Sequence, residues 1–280
     1  MMRPSLESQA RVRFAALIAR DPIPLDAAAL AIAAEEYPEL DERAYLERLD
    51  ALGERVRRAC PAPFRAASAL RALREVLAAE EGLTGNADDY YDPRNSFLNE
   101  VLDRRLGIPI SLSVVYMEVA RRAGLALQGV GLPGHFLARY ASPSGPEVFV
   151  DAFRGGEMLS VDECAARFRD RSGERELDRR WLAPVGASQI LARMLLNLRR
   201  IYADRKDDVR GYWVLDRILL VSPADLGALR DRGLAAARLG GAAAAARDLE
   251  AYLSRAPGAA DADDVRERLA ALRRDRPMAN

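Results

Sequence analysis

The stretch that most constrains this chain begins at Pro109. From there to Ala123 the residues are apolar nearly all round: Ile110, Leu112, Val114, Val115, Met117, Val119 and Ala120 leave no polar face. Such a helix cannot lie on a surface and must run through the middle of a domain. Pro109 suits the first helical position, where its missing N–H is not needed, and Gly124 suits the stop. Everything else in the first two thirds has to cover that helix.

Three strands follow it, expected at 126–130, 136–140 and 148–150. A tight corner at Gly131 to Gly134 separates the first two, and Pro143-Ser144-Gly145-Pro146 turns the chain before the third. Gly155-Gly156 forms another turn, and Ser160 caps a helix expected to reach Phe168. Ahead of Pro109, three- and four-residue apolar spacing predicts helices over 6–19, 24–37, 41–59, 66–81 and 96–105. The third is well patterned, with Tyr45, Leu49, Leu52 and Val56 on one side. The stretch 82–94 is polar and rich in turn pairs.

The charge-rich stretch 169–180 is expected to be a linker, dividing the chain into 1–180 and 181–280. Beyond it the pattern is helical throughout: 188–205, 208–221, 224–239, 242–256 and 261–274. Pro223 and Pro257 each follow a helix pair and lie thirty-four residues apart, the tetratricopeptide period. The small residues Gly233 and Ala245 fit close helix contact.

Composition narrows the function classes. Lys and Arg total 42, Asp and Glu total 42, so no net charge favours nucleic acid or an anionic membrane. Lys206 is the only lysine. No apolar run approaches the ~18 residues of a membrane span. Met1 to Ala10 carries Glu7 and has no apolar centre, so no signal peptide is expected, and the protein is expected to be cytoplasmic. One histidine and two distant cysteines, Cys60 and Cys164, rule out a disulfide framework or a metal site by spacing, so no cofactor is expected.

Several middle motifs carry a resemblance. Tyr-Asp-Pro-Arg-Asn-Ser at Tyr91–Ser96, Gly-Ile-Pro-Ile-Ser-Leu-Ser at Gly107–Ser113 and Pro-Gly-His-Phe at Pro133–Phe136 resemble the bacterial SirB-type invasion-regulator family. The likeness extends over most of the chain from Ala66 onward. It implies an α+β fold: a transglutaminase-like or papain-like core, with a buried central helix against a small antiparallel sheet. Helices precede that core, and a tetratricopeptide-like helical region follows it. The wider likeness is to thiol enzymes in which Gly-x-Cys opens the helix, with a His on one strand and an Asp or Asn on the next. Gly107, His135 and Asp151 match; Pro109 falls where the Cys should be.

That substitution decides the expected chemistry. A helix N-terminus stabilises a thiolate, a neighbouring His takes its proton, and an acid orients the His. Proline cannot attack anything. His135 is read either as a core or turn histidine bonded to a carbonyl, or as a base paired with Asp151. The resemblance implies the second, with the imidazole within ~3.5 Å of the Asp151 carboxylate, near the start of the Pro109 helix. Ser111 and Ser113 follow Pro109, but serines early in a helix usually satisfy backbone groups. Tyr91, Asp92, Arg94 and Asn95 are either a turn with a helix cap or, with His135, the rim of a binding cleft. The expected function is a non-catalytic binding or regulatory protein, a pseudoenzyme holding a protein or peptide partner through its cleft and helical groove. The alternative is a hydrolase or acyltransferase using His135 and Asp151, with Ser111 or water as nucleophile.

Overall fold

A computed structural model describes residues 8–142, 145–173 and 176–274. Leu6 and Glu7 of the first expected helix, Pro143 and Ser144 of the expected turn, and Glu174 and Arg175 of the expected linker lie outside the described residues. The chain forms two compact units, one spanning Val12–Met194, the other joining residues 8–11 to residues 195–274.

The first unit opens with the part of α1 (Gln9–Ile18) from Val12 onward, then α2 (Leu25–Ala33), α3 (Glu42–Ala59) and α4 (Ala66–Arg74), the last widening into a π-helical end at Glu75–Glu80. Asp41 caps α3, its Oδ1 accepting from the amides of Arg43 at 3.1 Å and Ala44 at 3.2 Å. Leu49, Leu52 and Val56 of α3 are buried, as their spacing predicts, while Tyr45 is only half-buried. A two-residue parallel pair, β1 (Thr84–Gly85) with β2 (Leu106–Gly107), brackets a 3-10 turn at Pro93–Ser96 and helix α5 (Leu98–Arg104). Next comes α6 (Pro109–Arg122), buried from Pro109 to Tyr116 and again at Glu118, Val119 and Ala120. It takes the central place its composition requires. Gly53 of α3 lets that helix approach: a Cβ there would lie 2.4 Å from the Arg122 Cβ.

The sheet is antiparallel, in the order β6-β5-β4-β3-β7. Its strands are β3 (Gln128–Leu132), β4 (His135–Tyr140), β5 (Val148–Asp151), β6 (Glu157–Leu159) and β7 (Pro184–Val185), with α7 (Val161–Ser172) between the last two. The sequence predicts the middle three strands and misses both edges. β6 is too short to show alternation. β7 begins with a proline, which sheets tolerate at an edge. β3 starts and ends two residues later than expected, because its ladder continues through Gly131 and Leu132, residues expected to belong to the corner. Ser160 caps α7 as expected, its Oγ accepting from the Glu163 amide at 3.2 Å. The helix then runs past Phe168 to Ser172, so the stretch 169–180 is not simply a linker. Leu182, just beyond, is buried in the core beside Val130, Leu132 and Leu137.

The second unit contains the later part of α8 (Ala187–Asp204), then α9 (Asp208–Val221), α10 (Leu226–Arg238), α11 (Ala242–Arg255) and α12 (Ala262–Arg274). Pro223 and Pro257 occupy equivalent places. The residue before each ends its helix with nearly the same backbone, Ser222 at φ −133 and ψ 76, Ala256 at φ −137 and ψ 60. Each prolyl carbonyl accepts from an arginine further on, Arg255 at 3.3 Å for Pro223 and Arg266 at 2.7 Å for Pro257. Gly233 permits the α10–α11 contact, since a Cβ there would meet Leu249 Cδ2 at 2.8 Å. Among the described residues, no helix is long and apolar enough to cross a membrane.

Gly233→Val should therefore destabilise the chain by about 1–3 kcal/mol through overpacking against Leu249. Gly211→Ala, where an added Cβ meets nothing within 4 Å, should hold or raise stability by up to about 1 kcal/mol. Urea unfolding of the two variants checks this, and equal effects would contradict the packing argument.

Candidate functional site

His135 opens β4, and Asp151 closes the neighbouring β5. The antiparallel register sets their side chains on one face of the sheet, and the His135 Nε2 lies 2.9 Å from the Asp151 Oδ2. Both are sequestered, at 8% and 2% exposure. The ring nitrogen engaged with the carboxylate is Nε2, and Nδ1 is the nitrogen left for another partner. The Asp151 Oδ1 is buried without a hydrogen-bond partner among the described residues. So is the Tyr116 hydroxyl, which rests against Gly156: a Cβ on that glycine would come within 2.9 Å of it. Burial pushes the Tyr116 phenol above its ordinary range; Arg74 opposes this and the Asp151 charge adds to it.

The pair opens onto a cavity of about 450 Å³ whose other polar lining comes from Arg154, Cys164, Arg167 and Asp170. Thus α7 lines this cavity, and no α6 residue does. Cys164 is 2% exposed. Burial, reinforced by Asp151 and opposed by Arg167, pushes its thiol up to about 12, so at neutral pH it is no nucleophile. Arg167 is held by Glu157, with its Nη1 3.8 Å from Asp151 Oδ2. Phe153 stands edge-on to the His135 ring at 6.3 Å, Tyr90 meets Phe153 at 6.1 Å, and Tyr91 meets Tyr90 at 5.3 Å. Gly85 leaves the space that Phe153 fills: a Cβ there would lie 2.4 Å from its ring.

The other expected site residues form a brace for the start of α6. Ser111 Oγ accepts from the Ile108 amide at 3.1 Å and donates to the Asn95 carbonyl at 2.6 Å. It makes no hydrogen bond to His135. Asn95 has no solvent exposure: its Oδ1 accepts from Asn86 Nδ2 at 3.0 Å, and its Nδ2 donates to the Asp89 carbonyl at 2.7 Å. Asp92 caps the 3-10 turn through the Arg94 amide at 3.0 Å and pairs with Arg94 at 2.8 Å and Arg104 at 3.2 Å. Neither Asn95 nor Ser96 caps α5; both lie inside that turn, and α5 starts behind Phe97 without a side-chain cap. Of the five expected cleft residues, only His135 lines the cavity; Asp92, Arg94 and Asn95 do not, and Tyr91 joins it only through the aromatic chain. Arg193 is a residue of the site that no sequence motif marks. Its Nη2 donates to the carbonyls of Leu132 at 2.7 Å and His135 at 2.8 Å, tying together both ends of the β3–β4 turn. Its one trace in the sequence is Gly131, where a Cβ would lie 2.8 Å from the guanidinium.

With a His–Asp pair on adjacent strands beside a buried helix, residues 43–196 match the family model of the transglutaminase-like superfamily. The chain belongs to that superfamily. Residues 198–270 match the tetratricopeptide repeat. A UPF0162 protein of Xylella fastidiosa is 41% identical over 258 residues, 91% of this chain and 92% of that one. The UPF0162 protein of Pseudomonas aeruginosa is 31% identical over 209 residues, 74% of this chain and 75% of that one. Mouse F-box only protein 21 is 40% identical over 104 residues, which is 34% of this chain but 16% of the mouse protein. A transglutaminase-like domain joined to repeats whose stacked helices form binding surfaces points to a protein-binding or regulatory role.

Two measurements follow for this transglutaminase-like unit. Burial opposes the Asp92 charge, but hydrogen bonds from Arg94 and the nearby Arg104 hold the carboxyl below its ordinary range. A depressed carboxyl stabilises the fold above its unfolded pKa and loses that contribution as pH falls through the folded value. Asp92→Asn should cost about 1–2 kcal/mol at neutral pH, with the gap to the parent closing below about pH 4. A pH-independent gap in urea melts would exclude this account. Separately, a thiol reagent at pH 8 should label half-buried Cys60 well before Cys164, whose labelling should await unfolding. Fast Cys164 labelling in the folded chain would refute its placement as an inert thiol.

Proposed function

We propose that this chain is a non-catalytic, SirB-type member of the superfamily: a cytoplasmic binding or regulatory protein that needs no cofactor. In this reading it holds a peptide or protein segment in the cavity beside His135 and in the groove of its repeat helices. One observation carries the proposal. The start of α6, where a nucleophile would stand, holds Pro109, and the nearest hydroxyl, Ser111, is buried and engaged with Asn95 and Ile108. Cys164 does not replace it, because its thiol stays protonated. The His135–Asp151 pair and the cavity give a bound segment acceptor atoms on the ring and the carboxylate, with the guanidinium groups of Arg154 and Arg167 as donors. Tyr91, half exposed at the outer end of the aromatic chain, is the rim residue best placed to meet that segment.

The intact His135–Asp151 hydrogen bond supports the second reading, a hydrolase or acyltransferase with water or Ser111 as nucleophile. The purified chain, offered amide and ester substrates with and without thiol reductant, should show no turnover. Turnover lost in both Ser111→Ala and His135→Ala would install the serine reading, and turnover lost only in His135→Ala would install the water reading. Pro109→Cys should create a thiol that iodoacetamide alkylates faster at neutral pH than an ordinary exposed cysteine. Adding His135→Ala should slow it, which separates an inherited charge-relay geometry from a merely exposed thiol.

A further inference from the structure

A second cavity in the first unit lies between the α2–α3 connection, α3 and α5, about 710 Å³ in volume. We propose that it binds an organic cation: an ammonium or guanidinium group on a hydrocarbon stem. The inference stands independently of the reading of the His135 cavity.

Two observations meet there. The first is an orphan acceptor. Asn99 lines the cavity at 4% exposure, and its Oδ1 has no hydrogen-bond partner among the described residues. A buried carbonyl oxygen left without a donor costs about 1–3 kcal/mol, which a donor entering the cavity would recover. The second is charge. Glu39, Asp41, Glu100 and Asp103 line the cavity with Arg48 as the lone basic residue. Arg48 is already committed, donating to Asp103 at 3.0 Å and to the Leu102 carbonyl at 2.7 Å. Arg94, whose charge also reaches Glu100, is bound to Asp92. Glu39, Asp41 and Glu100 therefore leave the cavity net negative.

The remaining walls choose among cations. Pro38, Leu40 and Ala44 are apolar. The Tyr45 hydroxyl donates to Asp103 at 2.6 Å and the Tyr37 hydroxyl is bonded to Glu100, so what the two tyrosines offer a ligand is their rings. Rings and an apolar wall suit a hydrocarbon stem carrying a positive nitrogen. A hydrated metal ion would make no use of them, an anion would be repelled, and a neutral apolar ligand would leave Asn99 unpaired. A lysine or arginine side chain of a basic peptide presents this chemistry, as does a free polyamine.

Calorimetric titration of the intact chain with spermidine, and separately with the peptide acetyl-Gly-Lys-Gly-amide, distinguishes the sources. At least one should bind saturably at a single site, and the same peptide acetylated on its lysine should not. Tighter binding of spermidine assigns the cavity to free polyamines; tighter binding of the peptide assigns it to a basic segment of a partner. Asn99→Ala and Glu39→Gln should each weaken the binding by about tenfold. Glu39 is exposed, so its variant keeps the test open if Asn99→Ala does not fold. The proposal is overturned if neither probe saturates, if the acetylated peptide binds equally well, or if correctly folded variants bind as the parent does.

Discussion

The Ser111 hydroxyl has no solvent exposure and donates to the Asn95 carbonyl at 2.6 Å. That bond joins the buried helix to the loop that precedes it. Around it gather the Ile108 amide on one side and the Asn86 and Asp89 contacts of Asn95 on the other. Buried polar groups in such a cluster must all be satisfied together, since each unmet partner in a low-dielectric setting costs more than the bond contributes. The cluster sets the height at which α6 starts. Strands β3 and β4 and the Ala152–Arg154 turn that carries Phe153 pack against the helix that starts here. Pro109 fits here because its ring fixes φ for the first turn and it has no N–H that would need an acceptor.

The same cluster recasts what looks like a damaged enzyme. A thiol enzyme needs the first turn of this helix to present a reactive atom to a histidine. Here the first turn presents a proline and a hydroxyl already engaged, while the histidine keeps its carboxylate and faces α7. Keeping a buried His–Asp pair has a structural justification of its own: removing either partner strands the other out of water. Retention of the pair therefore does not require turnover, and its cavity is available for binding.

Most of the helical framework could be read directly from residue spacing, because burial of one face imposes the three- and four-residue period that Leu49, Leu52 and Val56 display. The His135–Asp151 contact was legible only through the family likeness that matches Gly107, His135 and Asp151; the tendency of consecutive strands to lie side by side allows the contact without requiring it. What stayed hidden depended on contacts between residues distant in sequence. Nothing near Asn95 announces that its side chain will be tied to Asn86 and Asp89 rather than offered to a ligand. Cys164 and Arg167 read as ordinary helix residues until the sheet faces them. The edge strands β6 and β7 are too short for any periodicity, and β7 exists as a strand only because β3 is there to pair with it.

The packing of Phe153 over Gly85 has a consequence for how such a chain can change over time. Position 85 has no room for a side chain while position 153 carries a phenyl ring, and that ring meets the edge of His135. The two positions, far apart in sequence, make up one unit of inheritance. A lineage that enlarges residue 85 must shrink or reorient residue 153 in the same step, or lose the wall that keeps the imidazole in place. Drift at a two-residue strand with no chemistry of its own would in that way reach the histidine without altering it.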